Sequence, residues 1–86
     1  VFIVLNNGGY AVMNRLADHR GGAAPWPSFG ALSVSTIASG LGVETLVVRD
    51  YAALTTMVGS VAPSLASRRT PLLIEIVVAP DETFAP

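Results

Sequence analysis

Apolar and polar positions follow one another along this chain in blocks of two kinds. Val1 to Leu5 is an unbroken apolar run. Such a run reads as a strand buried on both faces in the middle of a parallel sheet. Asn6-Asn7-Gly8-Gly9 interrupts it with turn residues, two of them able to take positive φ. From Tyr10 to about His19 the period becomes helical. Val12, Met13, Leu16 and Ala17 share one face, and Asn14, Arg15 and Asp18 take the other. Gly21-Gly22 predicts the end of that helix.

Residues 21 to 32 are rich in Gly, Ala and Pro, and Pro25-Trp26-Pro27 excludes a helix there. Ser33 or Ser35 is placed to cap a short helix through Ile37, Ala38 and Leu41, closed by Gly40 and Gly42. Val43 to Arg49 predicts a second strand. Asp50 is a natural N-cap for a helix with Leu54, Met57, Val58, Val61 and Leu65 at i, i+3, i+4, i+7 and i+11. Pro63 falls inside that stripe and predicts a kink or restart, and Arg68 and Arg69 suit its C-terminal end. Pro71 introduces a third strand, Leu72 to Val78, with Glu75 as its one charged residue. The order strand, helix, helix, strand, helix, strand predicts an α/β fold: an open parallel sheet flanked by helices.

Composition narrows the classes. The chain has 86 residues, enough for one domain at most, and is 51% hydrophobic and 13% charged with net charge −1. A domain this short buries only roughly 60% of its unfolded surface. So apolar a chain predicts either an unusually rich core or apolar surface meant for a partner. Disorder is excluded. There is no Lys, and Arg15, Arg20, Arg49, Arg68 and Arg69 are scattered, which argues against nucleic acid as a partner. The absence of Cys excludes a disulfide scaffold. No apolar run approaches the roughly 20 residues of a membrane span, so no membrane partner is expected. The chain opens on Val1 directly in a strand, which predicts a piece of a larger protein.

Ligands of open parallel sheets gather at the carboxyl ends of strands, where this sequence has Asn6-Asn7-Gly8-Gly9-Tyr10. Its amide oxygen and backbone carbonyls suit a hard cation, and its backbone N–H groups before a helix suit an anion. Together they describe a metal–diphosphate site. Read without that chemistry, Asn and Gly serve the turn alone.

An apolar strand ending in Asn-Asn-Gly-x-Tyr resembles the end of the thiamine-diphosphate motif, which begins with Gly-Asp-Gly and finishes with Asn-Asn. The resemblance is to the thiamine-diphosphate-dependent decarboxylases and carboligases, benzoylformate decarboxylase-like or acetolactate synthase-like, and it covers roughly residues 1 to 80. It extends through the Pro-containing excursion, the short helix and Gly turn at Ala38 to Val43, the strand to Arg49, the Leu54 helix and the Pro71-Leu72-Leu73-Ile74-Glu75-Ile76 strand. It implies that residues 1–80 are the C-terminal part of a cofactor-binding domain, a partial thiamine-diphosphate-binding fold, and 81–86 a tail. It implies further that Asn7, through its side-chain oxygen, and Gly9, through its carbonyl, ligate Mg²⁺ or Ca²⁺ bridging to the diphosphate. Tyr10 and Ala11 would offer backbone N–H groups to the phosphates, Asn6 would brace the turn, and Val12, Met13 and Leu16 would form part of an apolar substrate wall or else a core face. The implied reaction is decarboxylation of a 2-oxo acid, a lyase activity in which the thiazolium is the electron sink. Carboligation (a transferase activity) and oxalyl-CoA decarboxylation are its near relatives. A noncatalytic α/β module that binds phosphate or a partner is the alternative of another class.

The Gly-Asp-Gly half of the motif, with its metal-binding Asp, and the Glu that activates the cofactor in this family are not in these residues. No catalytic residue is therefore expected in the chain, and alone it is expected to be inactive. The remainder of its own polypeptide is the first implied partner, and a homodimer or homotetramer in the cytoplasm the implied assembly. Of the other polar residues, His19 is expected to be structural or exposed, and Glu75 to pair with Arg49 or Arg68. Trp26 is expected to pack its loop against a neighbouring domain, and Asp81 with Glu82 to lie in a solvated tail.

Overall fold

The computed structural model describes residues 1–81 and 83 and bears out the α/β class. Its elements are β1 (Phe2–Asn6), α1 (Ala11–His19), α2 (Val34–Gly40), β2 (Glu44–Val48), α3 (Tyr51–Val61), a 3-10 segment (Ala62–Ser67) and β3 (Leu72–Val77). The chain divides into two compact units. One comprises Val1–Asn6 and Ser33–Val78; the other comprises Asn7–Leu32 with the residues from Ala79 on.

The first unit holds a three-stranded, wholly parallel sheet in the order β1-β3-β2. β3 therefore lies in the middle, with Val4 beside Glu75 on one side and Val47 beside Glu75 on the other. Passing from β1 to β2 crosses the sheet in one direction, and passing from β2 to β3 returns. Right-handed crossovers then require helices on opposite faces, and the side chains agree. Val48, Leu72 and Ile74 are buried together with Ala53, Leu54, Met57 and Val61 packed on them, so this face belongs to α3. Glu75, on the alternate face of β3, meets the first turn of α2 through the N–H of Ser35.

Local signals place the helix ends. Ser33 accepts the N–H of Thr36 at 3.1 Å and Asp50 that of Ala53 at 2.7 Å, so both helices have side-chain N-caps. Helix α2 stops at Gly42, whose φ is +82°. The N–H groups of Gly42 and Val43 return to the carbonyls of Ser39 and Ala38, the bond pair of a Schellman stop. Pro63 ends α3: regular helix stops at Val61 and a 3-10 segment carries Pro at its start.

Three expectations are corrected. The Val1–Leu5 run is not in the middle of the described sheet. β1 is its edge, with Phe2, Ile3 and Leu5 each about 60% exposed or more, because β3 inserts between β1 and β2. Glu75 is buried and, among the described residues, has no arginine partner; Arg68 pairs instead with Glu44, and Arg49 is exposed. The apolar stripes are also only partly used. Ala38 alone of the α2 residues is buried, while Ile37, Leu41, Val58 and Leu65 remain exposed. The tail expected over 81–86 lies partly outside the described residues. Within it, Asp81 accepts the N–H and hydroxyl of Thr83.

Candidate functional site

The second unit carries every residue singled out for ligand chemistry. Its centre is the turn that follows Asn6, the last residue of β1. Gly8 takes φ +87°, which a side chain would strain, whereas Gly9 does not adopt positive φ. The turn is closed internally: the Gly9 N–H points to Asn7 Oδ1 at 3.4 Å. Asn7 is exposed and Gly9 half-buried. An amide oxygen has two lone pairs, so this long contact leaves acceptor capacity on Asn7.

Helix α1 begins at Ala11 with Tyr10 as its N-cap, and no side chain caps it. The early N–H groups of such a helix lack intrahelical acceptors. Tyr10 and Ala11 stand at this uncapped start. Val12 and Met13 are about half exposed, and Leu16 is half-buried. No residue of α1 is buried.

A strap over residues 25–29 is fastened to this turn. The Phe29 N–H donates to the Gly8 carbonyl at 2.8 Å. Trp26 Nε1–H donates to Asn14 Oδ1, joining the strap to α1. The Tyr10 ring meets Phe29 edge-on at 4.9 Å between centroids and Trp26 at 6.2 Å, geometries that aromatic quadrupoles favour. Sequence reasoning assigned Asn14 only to a polar face and Trp26 to packing against another domain. The available signal was the Pro-Trp-Pro constraint itself, which keeps the indole out of a helix, at a bend of the chain. His19 ends α1 as an exposed residue in its last turn.

Asn7 and Gly9 supply two neutral oxygens, the donor type a hard cation takes. Among the described residues no group of three or more His, Cys, Asp or Glu side chains is arranged to hold a metal ion. A small dication of this kind normally takes one or two carboxylates as well as phosphate oxygens. These residues therefore fit the neutral part of such an ion's shell.

No family model, curated protein or solved structure matches the chain. Among the described residues no helix is long and apolar enough to cross a membrane.

Proposed function

We propose that this chain is the C-terminal part of the cofactor-binding domain of a thiamine-diphosphate-dependent enzyme acting on 2-oxo acids by decarboxylation, as in benzoylformate decarboxylase-like enzymes. The observation that carries the reading is the Asn6-Asn7-Gly8-Gly9-Tyr10 turn. It continues from a parallel strand, is shaped by a positive-φ glycine and runs into a helix with an uncapped start. In this reading Asn7 and Gly9 give oxygens to Mg²⁺ or Ca²⁺, and the Tyr10 and Ala11 N–H groups meet the diphosphate. Val12, Met13 and Leu16 offer apolar surface to substrate. Bound thiamine diphosphate supplies the electron sink for cleaving a carbon–carbon bond beside a carbonyl. The chain's own part is to hold the diphosphate and neutralise its charge. The metal's carboxylate and the activating Glu come from elsewhere in the parent polypeptide or its partner subunit, in a cytoplasmic homodimer or homotetramer. Acetolactate synthase-like and oxalyl-CoA decarboxylase-like chemistry share the same turn.

The test is calorimetric titration of the intact protein with thiamine diphosphate, with and without Mg²⁺. Mg²⁺-dependent binding that is weakened by Asn7→Ala supports the reading. No binding, or binding of inorganic phosphate alone with no Mg²⁺ dependence, replaces it with a noncatalytic phosphate- or partner-binding module.

A further inference from the structure

From the strap geometry we infer that Asn14, Trp26 and Phe29 are positioning residues for the Gly9 carbonyl, an inference that rests on the metal–diphosphate reading of the turn. The Gly9 carbonyl belongs to the peptide between Gly9 and Tyr10. On its N-terminal side the preceding peptide is held by the 2.8 Å bond from the Phe29 N–H to the Gly8 carbonyl. On its C-terminal side Tyr10 is held by its ring contacts with Phe29 and Trp26. Those two rings stay in place only while the strap does. A side-chain bond from Trp26 Nε1–H to Asn14 Oδ1 anchors the strap to α1.

Glycine makes this bracketing necessary. Gly8 and Gly9 are consecutive and have the widest backbone freedom of any residue pair. The contact from the Gly9 N–H to Asn7 Oδ1 within the turn is long at 3.4 Å and exposed. Two consecutive glycines can present a carbonyl in many directions. Bonds from outside select one of them, and a ligand then need not supply that ordering from its binding energy. The proline on each side of Trp26 limits the strap's own freedom, so less ordering is left for the Trp26–Asn14 bond to supply.

The experiment combines Asn14→Ala, Trp26→Phe and the double variant in the intact protein. Two quantities are read: the Mg²⁺ concentration that half-saturates thiamine-diphosphate binding, and the amide exchange rates of Gly9, Tyr10 and Ile74. Trp26→Phe keeps a smaller aromatic ring beside Tyr10 and removes the N–H donor. Each single variant is expected to raise half-saturating Mg²⁺ about five-fold, the equivalent of one neutral hydrogen bond. The double variant should raise it no further, since both changes remove the same bond. Gly9 and Tyr10 should exchange faster in all three, with Ile74 in β3 unchanged. Variants that bind like the parent protein, or that leave Gly9 and Tyr10 exchange unaltered, overturn the inference. So does an equal rise at Ile74, which marks general destabilisation. A parent protein that binds no thiamine diphosphate at any Mg²⁺ concentration overturns the functional reading itself, a result separate from failure of the variants.

Discussion

Glu75 Oε1, on the middle strand of the sheet, accepts the backbone N–H of Ser35 at 3.1 Å from the first turn of α2, forty residues away in sequence. The other carboxylate oxygen receives Asn6 Nδ2 at 3.5 Å, from the end of β1. Only 4% of Glu75 is exposed. A buried carboxylate is tolerated when hydrogen-bond donors replace its water. Here the donors come from a helix start and a strand end, so the carboxylate ties α2 and β1 to the central strand.

Replacing it should separate acceptor from charge. Glu75→Gln retains an oxygen for the Ser35 N–H. Glu75→Ala leaves that donor facing a void and is expected to cost about 1–3 kcal/mol, the range for an unmade bond to a charged or buried partner. Urea unfolding of both variants checks this. Equal losses would mean that the acceptor at Ser35 contributes nothing.

Leu72 is the most buried large side chain described, at 1% exposure, and it packs with Val48 and Ile74 beneath α3. Leu72→Ala should cost about 2–5 kcal/mol, as transfer and cavity terms add. Val58→Ala, on the exposed side of the same helix layer, should fall within about 0.5 kcal/mol. Thermal denaturation of the pair reads which face of α3 meets the sheet.

The Asp50 cap is a separable contribution. Asp50→Ala removes the acceptor of the Ala53 N–H and should cost about 1 kcal/mol, while Asp50→Asn keeps a capping oxygen and should lose only a few tenths. Chemical denaturation midpoints at constant slope give the comparison.

The ion pair between Arg68 and Glu44 should matter little. Glu44 is 57% exposed, so solvent screens the attraction. Glu44→Gln is expected to change stability by less than about 1 kcal/mol, with the difference shrinking in high salt. A loss that persists undiminished at 1 M salt would contradict this.

At Gly42, φ is +82° and no atom lies within 4 Å of where a Cβ would stand. Gly42→Ala therefore meets backbone strain and no collision, and should cost about 1 kcal/mol. Gly40→Ala, with equally open space and no positive φ, should be neutral or slightly stabilising because alanine favours helix. Thermal midpoints of the two variants distinguish strain from crowding.

The element sequence was legible because its determinants are local. Ser33, Asp50, Gly42 and Pro63 act on backbone groups a few residues away, and helix and strand periods are read within a dozen residues. The turn at Asn7 to Gly9 was legible for the same reason, as turn residues between a strand and a helix. What the tertiary structure decided is which distant segments meet. An apolar run such as Val1–Leu5 is compatible with a central or an edge strand. The placement of β3 between β1 and β2 makes it the described sheet's edge. Glu75 had two arginines as candidates in sequence, but its neighbours turned out to be a backbone N–H and an asparagine. Nothing in the sequence pairs Asn14 with Trp26, and their bond spans the rest of α1 and the Gly21-Gly22-Ala23-Ala24-Pro25 stretch, twelve positions apart. Periodicity encodes which face of an element is apolar. Pairings across such distances depend on loop closure and on competition among many near-equivalent partners, which only the folded chain resolves.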